Sequence, residues 1–230
     1  GIGGDEFFFG YPSFKRIPMM DNISKVIPKN NKIQNLLYKI SLKLLKSFKK
    51  KSKYAGLFKY SHNPFKSFML LRCLFTPEEI REFTEGELIN KSIDSYNFES
   101  ESENNDEFES KELRIMYYEI KYYLCSKLLR DADWASMSNS IELRTPFVDW
   151  FFFNELMPIL KSNFKISKKN MLDAFKKNIP SELYKRKKTG FTIPYKHYYK
   201  KISNQSPKFI DPIKDWSLLS YKNYLSNEKN

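Results

Sequence analysis

The sequence predicts a mainly α-helical chain. Three observations carry that reading. Two long segments place apolar residues at helical spacing, several helix-start signals are present, and alternating strand patterns are sparse. At the start, Gly1, Gly3 and Gly4 favour a tight backbone turn, because glycine tolerates positive φ. Asp5-Glu6-Phe7-Phe8-Phe9 then opens a helix with acids at its positive end. From Lys32 to Phe48, Ile33, Leu36, Leu37, Ile40, Leu44 and Phe48 form one apolar stripe, with lysines filling the other face. The stripe is expected to pack on a core and the lysines to face solvent; a membrane-surface helix is the alternative. Lys49-Lys50-Lys51-Ser52-Lys53 reads as an exposed connector.

Thr76-Pro77-Glu78-Glu79 is a helix start, with a cap residue, a first-turn proline and acids. Residues 99–112 begin as Ser, Glu, Asn and Asp with one Phe, and read as an acidic mobile loop without catalytic duty. Leu113 to Arg130 is the second long helix, striped by Leu113, Met116, Tyr117, Ile120, Leu124 and Leu128, and it runs into Asp131-Ala132-Asp133. Met171 to Asn178 is a short helix ending near Pro180. One domain over 1–200 and a loosely attached C-terminal tail over 201–230 are expected.

Composition narrows the function. With 41% hydrophobic and 17% aromatic residues in 230, the chain can bury a core and is no disordered tail. The net charge of +13 would suit nucleic acid, anionic membrane or phosphate-bearing ligands, but a solvated lysine surface is the reading preferred for it. Cys73 and Cys125 form no CxxC pair, and His62 and His197 have no partner at metal-ligand spacing, so a disulfide scaffold and a zinc site are not expected. No apolar run reaches the ~18–20 residues of a membrane span. The richest, Phe68 to Phe75, is broken by Arg72. With no secretory signal, a reduced, cytoplasmic protein is expected. The start at Gly1, inside a motif, points to a fragment or processed chain.

Three segments carry candidate chemistry. The first is Gly1-Ile2-Gly3-Gly4-Asp5-Glu6, continuing to Gly10-Tyr11. Its small residues let backbone N–H groups approach an anion, and a carboxylate beside such a loop can hold Mg²⁺ on phosphate oxygens. A structural turn is the plain alternative. The second runs from Leu129 to Asp149 and includes Asp131, Asp133, Ser136, Met137, Glu142, Arg144, Pro146 and Phe147. Glu142 and Arg144 would be costly to bury apart, so a buried structural pair is expected. The third is Ile179 to Pro194, with Lys185, Arg186, Lys187, Lys188, Gly190 and Phe191. Its lysines can neutralise a polyphosphate or face solvent.

In this order and at these separations the three segments resemble the synthetase domain of glutamine-hydrolysing asparagine synthetases, over about Gly1 to Pro194. The resemblance implies the C-terminal helical half of an α/β ATP-pyrophosphatase domain (adenine nucleotide α-hydrolase-like). It implies ATP and Mg²⁺, adenylation of a carboxylate, aspartate by default, and attack by ammonia that a glutaminase domain draws from glutamine. It assigns ATP and Mg-pyrophosphate binding to Gly1, Gly3, Gly4 and Asp5, the metal contact to Asp5, and pyrophosphate and intermediate binding to Lys188. Asp133 would face the acceptor side. Ile2 stands where well-studied synthetases carry an intermediate-forming Glu. That departure brings in a second reading, amidation of a surface-polysaccharide or peptide carboxylate. The Ser-Gly-Gly-x-Asp-Ser phosphate loop is not in this sequence, so the isolated chain is expected to be inactive, and a truncated non-catalytic remnant is the third reading. A homodimer of the full enzyme stays open, and neither nucleic acid nor membrane is expected as a partner.

Overall fold

A computed structural model describes residues 1–48, 52–83, 108, 110–162, 166–186, 193–203, 208–209 and 211–227. Every regular element among them is helical, as the sequence predicts, and none is a strand. The chain divides into two compact units that interleave along the sequence. One comprises residues 1–26, 61–71 and 97–186, the other residues 27–60, 72–96 and 187–230.

The first unit is organised by aromatic burial. Helix α1 (Gly4–Phe7) is a single turn that drives Phe7 and Phe8 inward. Phe7 meets Phe152 and Phe153 at ring distances of 6.3 and 5.9 Å. A helix the sequence reading did not anticipate, α2 (Ser13–Ser24), follows and buries Phe14, Ile17 and Met20 despite Pro18 inside it. Its Ser13 hydroxyl donates to Glu119, which is fully buried. The expected helix at 113–130 is part of a longer helical run. Residues Lys111–Tyr118 (α7) are α-helical and capped by Ser110, Glu119–Leu129 widen into a π-helix, and Arg130–Met137 (α8) return to α. The predicted stripe packs through Leu113, Met116 and Leu124, with Ile115 and Tyr118 buried beside it. Tyr118 and Tyr122 close on Phe65 and Phe68 from Pro64–Arg72 (α5). Trp150–Lys161 (α9) is capped by Asp149, whose carboxylate accepts from the Phe151 and Phe152 amides, and it adds Leu156 and Leu160 to the core. The expected helix Met171 to Asn178 instead spans Lys168–Ala174 (α10). Ser167 and Asn170 cap each other's backbone there and start the helix three residues early.

In the second unit, α3 (Asn31–Ser47) confirms the first long helix but reverses its orientation. Asn30 caps it by accepting from the Lys32 and Ile33 amides. Gln34 and Tyr38 are buried, against a 3₁₀ turn (Ser52–Gly56) and α4 (Leu57–Tyr60). Ile33, Leu36, Ile40, Leu44 and Phe48 are 41–72% exposed, so the expectation of a core-packed stripe is corrected. The helix carries a second, less conspicuous face, Gln34, Leu37, Tyr38, Ser41, Leu42 and Leu45, and that is the face with least exposure. Most of Lys49-Lys50-Lys51-Ser52-Lys53 lies outside the described residues.

The predicted start at Thr76 holds. Pro77–Phe83 (α6) opens with a reciprocal cap, Glu79 N–H donating to Thr76 Oγ1 and Thr76 N–H donating to Glu79 Oε2 at 2.9 Å. After the short helices Ser181–Lys185 (α11) and Tyr195–Ile202 (α12) in chain order, Pro212–Asn227 (α13) forms a helix within residues 201–230, anchored at its first turn. Lys214 Nζ lies 2.7 Å from both oxygens of Glu79, and Asp215 accepts from the amides of Lys208 and Phe209. The far end of α13 is exposed. The acidic stretch 99–109 lies outside the described residues except Phe108.

Candidate functional site

The glycine turn is shaped by close packing. Gly3 has φ +96°, a conformation that side-chain-bearing residues rarely adopt. A Cβ there would lie 3.0 Å from Phe147 Cβ and 3.1 Å from Val148 Cγ2. Gly3 therefore joins the first segment to the end of the second, a meeting across 144 residues of sequence (147 − 3). Phe147 is held in turn by Phe8 and Phe152, with ring centroids at 5.9 and 5.6 Å.

Asp5 sits half-buried in α1, at the foot of this turn. Gly10 N–H donates to the Asp5 carbonyl at 2.8 Å, and a Cβ at Gly10 would collide with Asp5 Oδ1. Glycine at 10 is thus a condition for the position of the Asp5 carboxylate. Phe9, just before it, also has positive φ, +53°, unusual for so bulky a residue. Its ring packs edge-on against Phe14 at 5.0 Å, which holds the backbone in that state. Lys168 Nζ reaches Asp5 Oδ1 at 2.8 Å, while Lys168 N–H donates to the Phe8 carbonyl at 3.0 Å. Asp5 and Lys168 therefore form a charge pair at the edge of the glycine turn, with side chains 22% and 41% exposed. Beneath it, Glu6 is buried and accepts from Tyr11 Oη at 2.8 Å.

The Mg²⁺ implied by the resemblance needs hard oxygen donors. Among the described residues no group of three or more His, Cys, Asp or Glu side chains converges as a metal cage. Asp5 offers a single, partly exposed carboxylate. One carboxylate fits Mg²⁺, which is often held by one or two carboxylates together with substrate phosphates and water.

The other expected site residues are placed as follows. Gly1 is exposed, Ile2 half-buried, and Gly4 buried under the Phe147 ring. Asp133 is exposed in the first turn of α8. Glu142 and Arg144 do pair, Arg144 Nε donating to Glu142 Oε1 at 3.1 Å, but their side chains are 73% and 84% exposed. The expectation of a buried pair is corrected. The surrounding segment is exposed too, including Trp134, Met137, Ile141 and Leu143. The third segment is described as far as Arg186 and again from Ile193; Lys188 lies outside. At its start Tyr184 Oη donates to Asp173, and that hydrogen bond raises the phenol pKa.

Sequence reasoning missed Lys168 and the separate role of Gly10. Gly10 was within the recognised segment, and its position five residues after Asp5 is a usable signal. Lys168 is one of two adjacent lysines, Lys168-Lys169, with nothing in the local pattern to distinguish them.

The chain is similar, at 29% identity over 115 residues, to asparagine synthetase [glutamine-hydrolyzing] 1 of Bacillus subtilis (strain 168), a match covering 49% of this chain and 18% of that relative. The chain thus matches less than a fifth of the relative's length. No solved structure matches significantly. The family model for asparagine synthase matches residues 1–213, nearly the whole sequence, and the chain belongs to the asparagine synthase family.

Proposed function

We propose that this chain supplies the helical part of an ATP-dependent amide-ligase site. The observation that carries the reading is the Asp5 carboxylate, held by Gly10 and Lys168 beside a glycine turn that is itself locked onto Phe147. In the reaction, a carboxylate oxygen of the acceptor attacks the α-phosphorus of ATP. The bond to the β-phosphate oxygen breaks, and pyrophosphate leaves. Ammonia then attacks the acyl carbon, AMP departs, and a proton is lost from nitrogen. Negative charge grows on the departing pyrophosphate, so fixed positive charge near it lowers the barrier.

Asp5 is the residue that would hold Mg²⁺, which neutralises phosphate charge when bound. Without nucleotide, Lys168 neutralises Asp5 and fixes its rotamer. With nucleotide, the Lys168 ammonium can move from the carboxylate to a phosphate oxygen and remain charge-compensated. Lys188 is the second cation in this proposal, carried over from the family resemblance, and it contacts pyrophosphate. Ammonia from a glutaminase domain of the complete protein is the nitrogen source. Aspartate is the acceptor in the leading reading. The apolar Ile2 favours the second, a polysaccharide or peptide carboxylate, because it offers no polar group toward an amino-acid acceptor.

Lysine substitution in the full-length protein tests the proposal. Lys188→Ala is expected to lower turnover roughly 10²–10³-fold, the value of one preorganised charge donor. Lys185→Ala and Lys187→Ala are expected to change it little, and Lys188→Arg to rescue poorly because a planar fork replaces a compact ammonium. Pyrophosphate release with aspartate and with a uronic acid compares the two acceptors. Small, equal effects at all three lysines would remove the ligase assignment of Lys188.

A further inference from the structure

We propose that α3 is an interfacial helix that docks on an anionic lipid surface. This inference stands apart from the amide-ligase reading, and it departs from the sequence expectation of no membrane partner. The helix has 17 residues and is roughly 25 Å long at 1.5 Å per residue. Three sectors divide its circumference. Gln34, Tyr38 and their neighbours face the second unit's interior. Ile33, Leu36, Ile40, Leu44 and Phe48 form a continuous stripe that faces outward, at 41%, 58%, 49%, 54% and 72% exposure. Lys32, Lys39, Lys43 and Lys46, all exposed, run along one edge of that stripe. The helix contains no acidic residue.

Isolated exposed leucines need no explanation, but an unbroken apolar row does. Charge selects the occupant. An anionic leaflet rewards each nearby lysine, and the long lysine stems let the ammonium groups stay at the headgroups while the apolar row sinks between them. A protein partner is a poorer fit, because lysine is depleted in protein interfaces relative to the rest of the surface. A second copy of this chain, packed antiparallel about a two-fold axis, would set one lysine row against another. No described helix is long and apolar enough to cross a membrane, so the contact is a surface one.

Vesicle co-sedimentation of the full-length protein tests this. Phosphatidylglycerol–phosphatidylcholine vesicles should pellet the protein, pure phosphatidylcholine should pellet it weakly, and added salt should release it. Lys39→Gln and Lys43→Gln should each weaken partitioning roughly fivefold, the equivalent of about 1 kcal/mol per basic residue. Ile40→Ser with Leu44→Ser should weaken it at least about tenfold, as expected for two apolar side chains withdrawn from the lipid. All four residues are exposed, so circular dichroism should be unchanged and the loss attributable to binding. Absence of pelleting by the wild-type protein overturns the proposal. So does pelleting that none of these variants alters, or a change of oligomeric mass in the serine variant with vesicle binding intact, which would assign the stripe to a protein interface.

Discussion

Single residues decide the geometry of the glycine turn. Gly3 combines positive φ with two side-chain atoms at contact distance, so an added methyl meets both backbone strain and steric conflict. Strain of this kind costs about 1–2 kcal/mol in the left-handed region. Gly3→Ala is expected to lower stability by at least that amount, and to loosen the Phe147 contact that joins two distant segments. Chemical denaturation measures the first effect, and an unchanged midpoint would refute the strain argument. Arg144 behaves oppositely. Its pair with Glu142 is real but solvated, and exposed pairs contribute about 0–1 kcal/mol. Arg144→Ala should leave the thermal midpoint nearly unchanged. A clear drop would mean that the pair is covered in the full-length protein. The sequence argument for burial rested on the cost of isolating either charge, which says that the two should pair but not where.

At the scale of elements, helix existence was legible and facing was not. Periodicity located α3 and the run from Lys111, because seventeen or more residues average out local exceptions. It chose the wrong face of α3 because the helix has two apolar faces, and hydrophobic content alone does not rank Tyr38 above Leu36. Helix α2 escaped notice because Pro18 reads as a breaker. The glycine turn and Asp5 were legible as a unit, since glycine and carboxylate chemistry is local. Lys168 was not, since its partner lies 163 positions away.

The most demanding element contact is between α6 and α13. Lys214 and Glu79 have side chains only 9% and 12% exposed, and Phe75 and Phe209 flank the ammonium at 5.0 and 5.6 Å. Ser52 also donates to Glu79 at 2.7 Å. Removing one partner of a buried pair typically costs about 3–5 kcal/mol, because the other charge stays behind. Glu79→Ala should therefore release α13, measured as faster amide hydrogen exchange across residues 212–219. Protection equal to wild type would show that α13 is held by something else.

Over the whole molecule both units take charge inward, in different surroundings. The first is built around aromatic packing, from Phe7 and Phe8 to Phe65, Phe68 and Tyr118, and its buried Glu6 and Glu119 accept from hydroxyl groups. In the second, carboxylates meet ammonium groups. Lys59 and Tyr60 both donate to Glu78, and Lys214 serves Glu79. Burial alone would raise both glutamate pKa values, but these hydrogen bonds outweigh it and hold both below the ordinary value. The same packing, with the nearby Glu78 charge, pushes the Tyr38 phenol up to about 12.

A folded pKa below the unfolded one means that the unfolded chain takes up protons first as acid is added. The stabilisation from Glu79 is then complete above the ordinary glutamate value, about 4.3. It is lost as the pH falls through the lowered folded value. Glutamine at 79 mimics the protonated side chain at every pH. The stability gap between wild type and Glu79→Gln should therefore be constant from neutral pH to about 5 and narrow below about 4.3, as wild type loses what the variant never had. Urea midpoints at a series of pH values measure it. A gap that persists undiminished at pH ~2 would mean that the carboxylate charge is not what holds Lys214.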